Sequence, residues 1–124
     1  MGSRTREDRR LRLLSAVCLA LPETERTNCG AHADFRVRGK IFATLAYPDK
    51  TFAMVKLSLP DQLKFTQADK EAFALVPGFW GEHGSTHVRL KAAKKQLVQQ
   101  ALKAAWQHAA PKNLRQQMPA QDNP

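Results

Sequence analysis

Apolar and polar positions alternate with a period of two between Asp34 and Leu59, the clearest pattern in the chain. Phe35 and Val37 alternate with Arg36 and Arg38, and Gly39 supplies a turn. Ile41, Ala43 and Leu45 then alternate with Phe42 and Thr44, and Tyr47-Pro48-Asp49-Lys50 supplies a second turn. Ala53, Val55 and Leu57 alternate with Phe52, Met54 and Lys56. Such runs, bounded by turn residues, predict three strands, and turns this short make the strands antiparallel. A short earlier strand is expected within Glu23–Ala33, which is otherwise polar and irregular.

On either side the period changes to that of a helix. Leu11, Leu14, Val17, Cys18 and Leu21 share one face, Thr5 with Asp8 forms an N-terminal capping signal, and Pro22 ends the run. Arg12 and Ser15 interrupt the apolar stretch, which reads better as this amphipathic helix than as a leader peptide. Residues 92–110 predict the longest helix, with Leu97, Val98, Ala101, Leu102, Ala105 and Ala109 inward, and Pro111 stops it. Pro60-Asp61 opens a short helix, and Gln67–Phe73 reads as a second helical piece. Ala74–Pro77 reads as extended, Gly78–Gly84 as a glycine-rich loop carrying Phe79 and Trp80, and Thr86–Lys91 as a last strand. The expected fold is α+β: an antiparallel sheet of about four to five strands, with the N- and C-terminal helices on one face and a short helix between strands. Residues 1–115 read as a single domain and 116–124 as a flexible tail.

The chain has 124 residues, enough for an ordinary core, and a net charge of +9. That charge fits an anionic partner and is equally explained by solubility. It is uneven: residues 1–12 hold five arginines, residues 86–124 hold seven lysines or arginines against the single acid Asp122, and residues 65–85 are net acidic. No apolar run approaches the roughly 20 residues of a membrane helix. Two cysteines make no disulfide framework, so a cytoplasmic location is expected.

Enzymatic chemistry finds no motif. The serines and histidines show no triad spacing, Gly78, Gly81 and Gly84 do not form a phosphate loop, and the acids sit at turns and helix starts. Cys29-x-x-His32 and His83-x-x-x-His87 have spacings compatible with zinc, but an ordinary loop is the preferred reading, and no metal or cofactor is expected. A nucleic-acid surface is better supported. Arg36, Arg38, Lys40, Lys56, Arg89, Lys91, Lys94 and Lys95 would contact phosphate, with Trp80 stacking from the loop. Lys91, Lys94 and Lys95 also stand where the helix dipole disfavours cations. The alternative is a small-molecule pocket lined by Phe42, Phe52, Met54, Phe79, Trp80 and Trp106. A protein-interaction adaptor is a third reading. Large apolar residues are usually inside, so the exposure of Phe42, Phe52 and Met54 decides whether the sheet is site or scaffold.

From Phe35 to Ala43 (Phe-Arg-Val-Arg-Gly-Lys-Ile-Phe-Ala) the sequence resembles the MmcQ/YjbR family. The likeness extends over roughly residues 10 to 115, through Ala20-Leu21-Pro22-Glu23, His32, Val55-Lys56-Leu57, Pro77, Trp80-Gly81, Gly84, Thr86, Val88-Arg89-Leu90, Ala105-Trp106 and Ala110-Pro111-Lys112. Two departures stand out: Ala31-His32-Ala33 replaces the family's frequent Gly-His-Pro, and Ser85 replaces an aromatic. The resemblance implies an α+β fold of the CyaY-like or secretion-chaperone kind. It also implies DNA binding, by analogy of fold, and leaves room for an antibiotic-like small ligand.

Overall fold

The computed structural model describes residues 5–116. Within them, helix α1 (Arg6–Leu19) starts from a reciprocal cap. The Thr5 hydroxyl accepts from the Asp8 amide at 3.0 Å, and the Asp8 carboxylate accepts from the Thr5 amide at 3.3 Å. Strands β1 (Thr24–Cys29), β2 (His32–Val37), β3 (Lys40–Leu45) and β4 (Phe52–Lys56) follow as an antiparallel meander. Helix α2 (Leu59–Ala68) is capped by the Ser58 hydroxyl and carries Pro60 in its first turn. Then come β5 (Phe73–Leu75), the single helical turn α3 (Phe79–Glu82), β6 (Ser85–Arg89), α4 (Lys95–Ala109) and α5 (Lys112–Arg115). The sheet has six strands in the order β1-β2-β3-β4-β6-β5, every neighbour antiparallel.

The α+β architecture is the one expected, with one strand more than anticipated. Strand β1 falls where the short early strand was expected, as a polar edge strand without the apolar alternation that marks its neighbours. Gln67 and Ala68 finish α2, and Phe73 begins β5, so Gln67–Phe73 is not a second helix. Asp69 instead folds the chain back by accepting from the amides of Glu71 and Ala72. The last helix starts at Lys95, and the Gly78–Gly84 segment contains the turn α3. The tail expected beyond residue 115 lies, from residue 117 on, outside the described residues.

One layer of core fills the space between the sheet and helices α1 and α4. Phe35, Val37, Ala43, Ala53, Val55 and Val88 from the strands meet Leu14, Cys18, Val98, Ala101, Leu102 and Trp106 from the helices. Trp106 is fully buried, and its indole nitrogen donates to the Pro22 carbonyl at 3.0 Å. That bond ties α4 to the segment leaving α1 and satisfies the ring's one polar atom.

Phe42 also belongs to this core, on the same side as Ala43 rather than on the opposite face where simple alternation sets it. The β2–β3 register explains it. Phe35 pairs with Ala43 but Arg36 pairs with Ile41, so Phe42 is the extra residue of a bulge. The bulge lets Phe42 and Ala43 both serve the core and hands the opposite face to Ile41. Phe42 and Trp106 are therefore scaffold and cannot line a ligand site.

Candidate functional site

The second face of the sheet follows from the register, because directly opposed residues of antiparallel strands share a face. It carries Cys29, His32, Asp34 and Arg36 from β1 and β2, and Ile41 and Thr44 from β3. Phe52, Met54 and Lys56 from β4 and Ser85, His87 and Arg89 from β6 complete it. Phe52, Met54 and Lys56 are half-buried, between the fully buried Ala53 and Val55. The β4 alternation thus reads as expected, and its open side is the mixed polar one.

A cavity of about 350 Å³ lies on this face. Ile41, Met54, Val76 and Trp80 supply its apolar surface, and His32, Asp34, Thr44, Tyr47, Lys56 and Ser85 its polar groups. Trp80 is 60% exposed, and the Lys56 ammonium stands 5.8 Å from its ring centre. Phe79 is equally exposed but lies outside the cavity, edge-on to Trp80 and stacked 4.0 Å from the His83 ring. Phe52 packs edge-on against His87 under the Arg89 guanidinium, also beside the cavity rather than in it.

Three residues hold the wall that carries Trp80. A side-chain carbon added at Gly81 would stand 1.7 Å from the Val76 carbonyl oxygen. One added at Gly84 (φ +108°) would stand 2.1 Å from that of Leu57. Gln62, buried on α2, donates to the Gly81 carbonyl (2.9 Å), the Ser85 carbonyl (3.2 Å) and the Thr86 hydroxyl (3.1 Å). The sequence reading missed Gln62. A glutamine on an amphipathic helix reads as its wet face, and only the fold shows it turned inward.

Strand pairing joins residues the sequence left apart. Cys29 and His32 face each other across the Gly30-Ala31 turn, and Asp34 lies two residues further on the same side. The Cys29 thiol donates to one Asp34 oxygen at 3.5 Å, while the other accepts from the Thr44 hydroxyl at 2.9 Å and lies 3.9 Å from His32 Nε2. The His32 ring is held edge-on to Tyr47. Partial burial and the Asp34 carboxylate both push the Cys29 thiol pKa up. The other thiol, Cys18, is pushed up to about 12 by burial in the core, which makes it inert. On β6, burial lowers the His87 pKa, and its Nδ1 is buried without a partner.

The cations named for a nucleic-acid surface divide among several places. Arg36, Lys56 and Arg89 lie on the open face, where Arg36 donates to Thr27 Oγ1 and Arg89 to the Glu71 carbonyl. Arg38 forms a two-pronged pair with Glu23 at the β2–β3 turn, beside the exposed Lys40. Lys91, Lys94 and Lys95 are at the other end of the strands, leading into α4, and Lys91 is 3.9 Å from Glu7. Lys95 also borders a groove of about 410 Å³ between α1 and α4, with Arg6, Arg9 and Arg10 around an apolar floor of Leu14, Val17 and Val98. This groove is the larger cavity, but the open-face cavity has the greater variety of converging polar groups, as ligand sites do.

A family model described as YjbR matches residues 19–108, from the end of α1 to the last turn of α4. The chain belongs to the YjbR family. The match spans all six strands of this YjbR fold and every residue lining the open-face cavity. Among solved structures, the Deinococcus radiodurans protein DR2400, with a DUF419 domain, superimposes with a TM-score of 0.68. The alignment covers 91% of this chain and 86% of that one at 18% identity, a likeness of fold. No curated protein matches the sequence. Among the described residues no helix is long and apolar enough to cross a membrane.

Proposed function

We propose that this YjbR-family chain is a non-enzymatic binding protein whose working site is the open-face cavity, and that its ligand is a small, planar, anionic molecule. The observation that carries this reading is the placement of Lys56 beside the Trp80 ring on a concave wall. Apolar Ile41, Met54 and Val76 border the same space. An aromatic ring supplies stacking area at low entropic cost, a lysine supplies charge, and Thr44 and Ser85 supply adaptable hydrogen bonds. The cytoplasmic location expected from the unpaired cysteines belongs to the same reading.

The test is a titration with anilinonaphthalene sulfonate, an aromatic anion, followed through tryptophan emission. Saturable binding is expected, weakened about tenfold or more by Lys56→Gln, since a charge-assisted contact contributes about 1.5–3 kcal/mol. Trp80→Ala should weaken it comparably. Binding unchanged by both substitutions would refute the proposal.

A second reading keeps nucleic acid as the partner. The ring of Arg6, Arg9, Arg10 and Lys95 around the α1–α4 groove favours it. Phosphate contacts there would give steeply salt-dependent affinity. Labelled single- and double-stranded DNA, titrated at low and at physiological salt, tests it; no binding at low salt removes it.

A further inference from the structure

Among the described residues, Cys29, His32 and Asp34 form the one cluster of three or more metal-capable side chains whose ligand atoms all lie within 4.8 Å of one another. We propose that these three residues form a binding site for a borderline-soft divalent cation of the zinc type. The Sγ–Oδ2 separation of 3.5 Å and the Nε2–Oδ1 separation of 3.9 Å are near the edges of a tetrahedron, roughly 3.3–3.7 Å, that bonds of about 2.0–2.3 Å require. The two separations run to different Asp34 oxygens, so ligation through one oxygen requires the Cys29 and His32 side chains to close in from the 4.8 Å that spans the ligand atoms.

The supporting shell is built as well. The Gly30-Ala31 turn sets Cys29 directly opposite His32, so the two ligands are fixed by strand pairing rather than by a wandering loop. Thr44 Oγ1 orients Asp34 from the adjacent strand, and Tyr47 packs on the His32 ring. A thiolate and a carboxylate supply two negative charges, matching a dication. Thiolate with imidazole selects zinc-like ions over magnesium or calcium. Three protein ligands leave a fourth position for water or a ligand atom. His32 and Asp34 also line the open-face cavity, so the ion would stand at its wall. The metal site does not depend on the nature of the cavity's ligand.

The test is cobalt(II) titration of the reduced, tag-free full chain, with zinc used afterwards as competitor. One equivalent should develop tetrahedral d–d absorption and a thiolate-to-cobalt charge-transfer band, both erased by zinc. Cys29→Ser should abolish the charge-transfer band. His32→Gln and Asp34→Asn should each weaken cobalt binding by at least about tenfold. X-ray absorption of the zinc-loaded wild type, which needs no variant to fold, should show one sulfur among lighter ligands. Absence of saturable binding, a charge-transfer band surviving Cys29→Ser, a first shell without sulfur, or wild-type affinity in either His32→Gln or Asp34→Asn would overturn the site. Anilinonaphthalene sulfonate binding by the chelator-treated protein reads the cavity separately, so failure of one proposal is not mistaken for failure of the other.

Discussion

Gly84 shows how closely single residues hold the Trp80 wall to the sheet. Its backbone is left-handed, and an added methyl would meet the Leu57 carbonyl oxygen. Gly84→Ala should therefore cost about 3 kcal/mol or more. Gly30, also left-handed but with open space around it, should lose only about 1–2 kcal/mol on the same change. Urea unfolding of the two variants makes the comparison. His87 gives a pH dependence of definite sign. Burial lowers its pKa in the folded chain, so the unfolded chain takes up a proton near the ordinary 6.5 and the folded chain does not. The stability linked to neutral His87 is present above that pH and is lost as pH falls through the lower folded value. Melting temperature should drop from about pH 7.5 to about pH 5, and His87→Gln should lessen the drop. An identical pH profile in the variant would remove His87 as a cause.

At the scale of elements, α2 acts on the site through Gln62. Gln62→Leu removes a donor from two backbone carbonyls and one hydroxyl, and should cost about 2–3 kcal/mol. Amide hydrogen exchange should accelerate at residues 78–86 and leave β2 and β3 protected; uniform acceleration would mean global destabilisation instead. How far the elements could be read from sequence depends on where apolar alternation exists. Strands β2 to β4 and helices α1 and α4 have it, and were legible. Strand β1 lacks it: the inward-side partner of Ser15 is Arg26, whose guanidinium donates to the Ser15 hydroxyl at 3.1 Å. With β1 expected only as a short strand somewhere in Glu23–Ala33, its pairing with β2 had no register, and Cys29 and His32 remained a spacing without Asp34. Phe42 was misplaced for another reason. A bulge shifts parity by one residue without any mark in the local pattern, since Ile41 and Phe42 are both apolar.

For the whole molecule, the decisive asymmetry is between the faces of one sheet. Helices α1 and α4 bury one face in a continuous core. The other presents half-buried side chains around a cavity, with Trp80 and Tyr47 exposed at its edge. The positive charge follows neither face alone. Part lies on the open side with Lys56, and part around the α1–α4 groove. Two binding modes with different salt responses are therefore separable in one molecule. Ligand capture in the open cavity combines apolar burial with one cation and should lose affinity only mildly with salt, whereas polyanion binding at the groove should lose it steeply. The most direct test of the open face as the working site is amide chemical-shift mapping of the isotopically labelled protein during titration with anilinonaphthalene sulfonate. The largest shifts should cluster at His32, Asp34, Thr44, Met54, Lys56 and Trp80. Shifts concentrated on Arg6–Val17 and Lys95–Gln99, or shifts spread evenly over the chain, would contradict it.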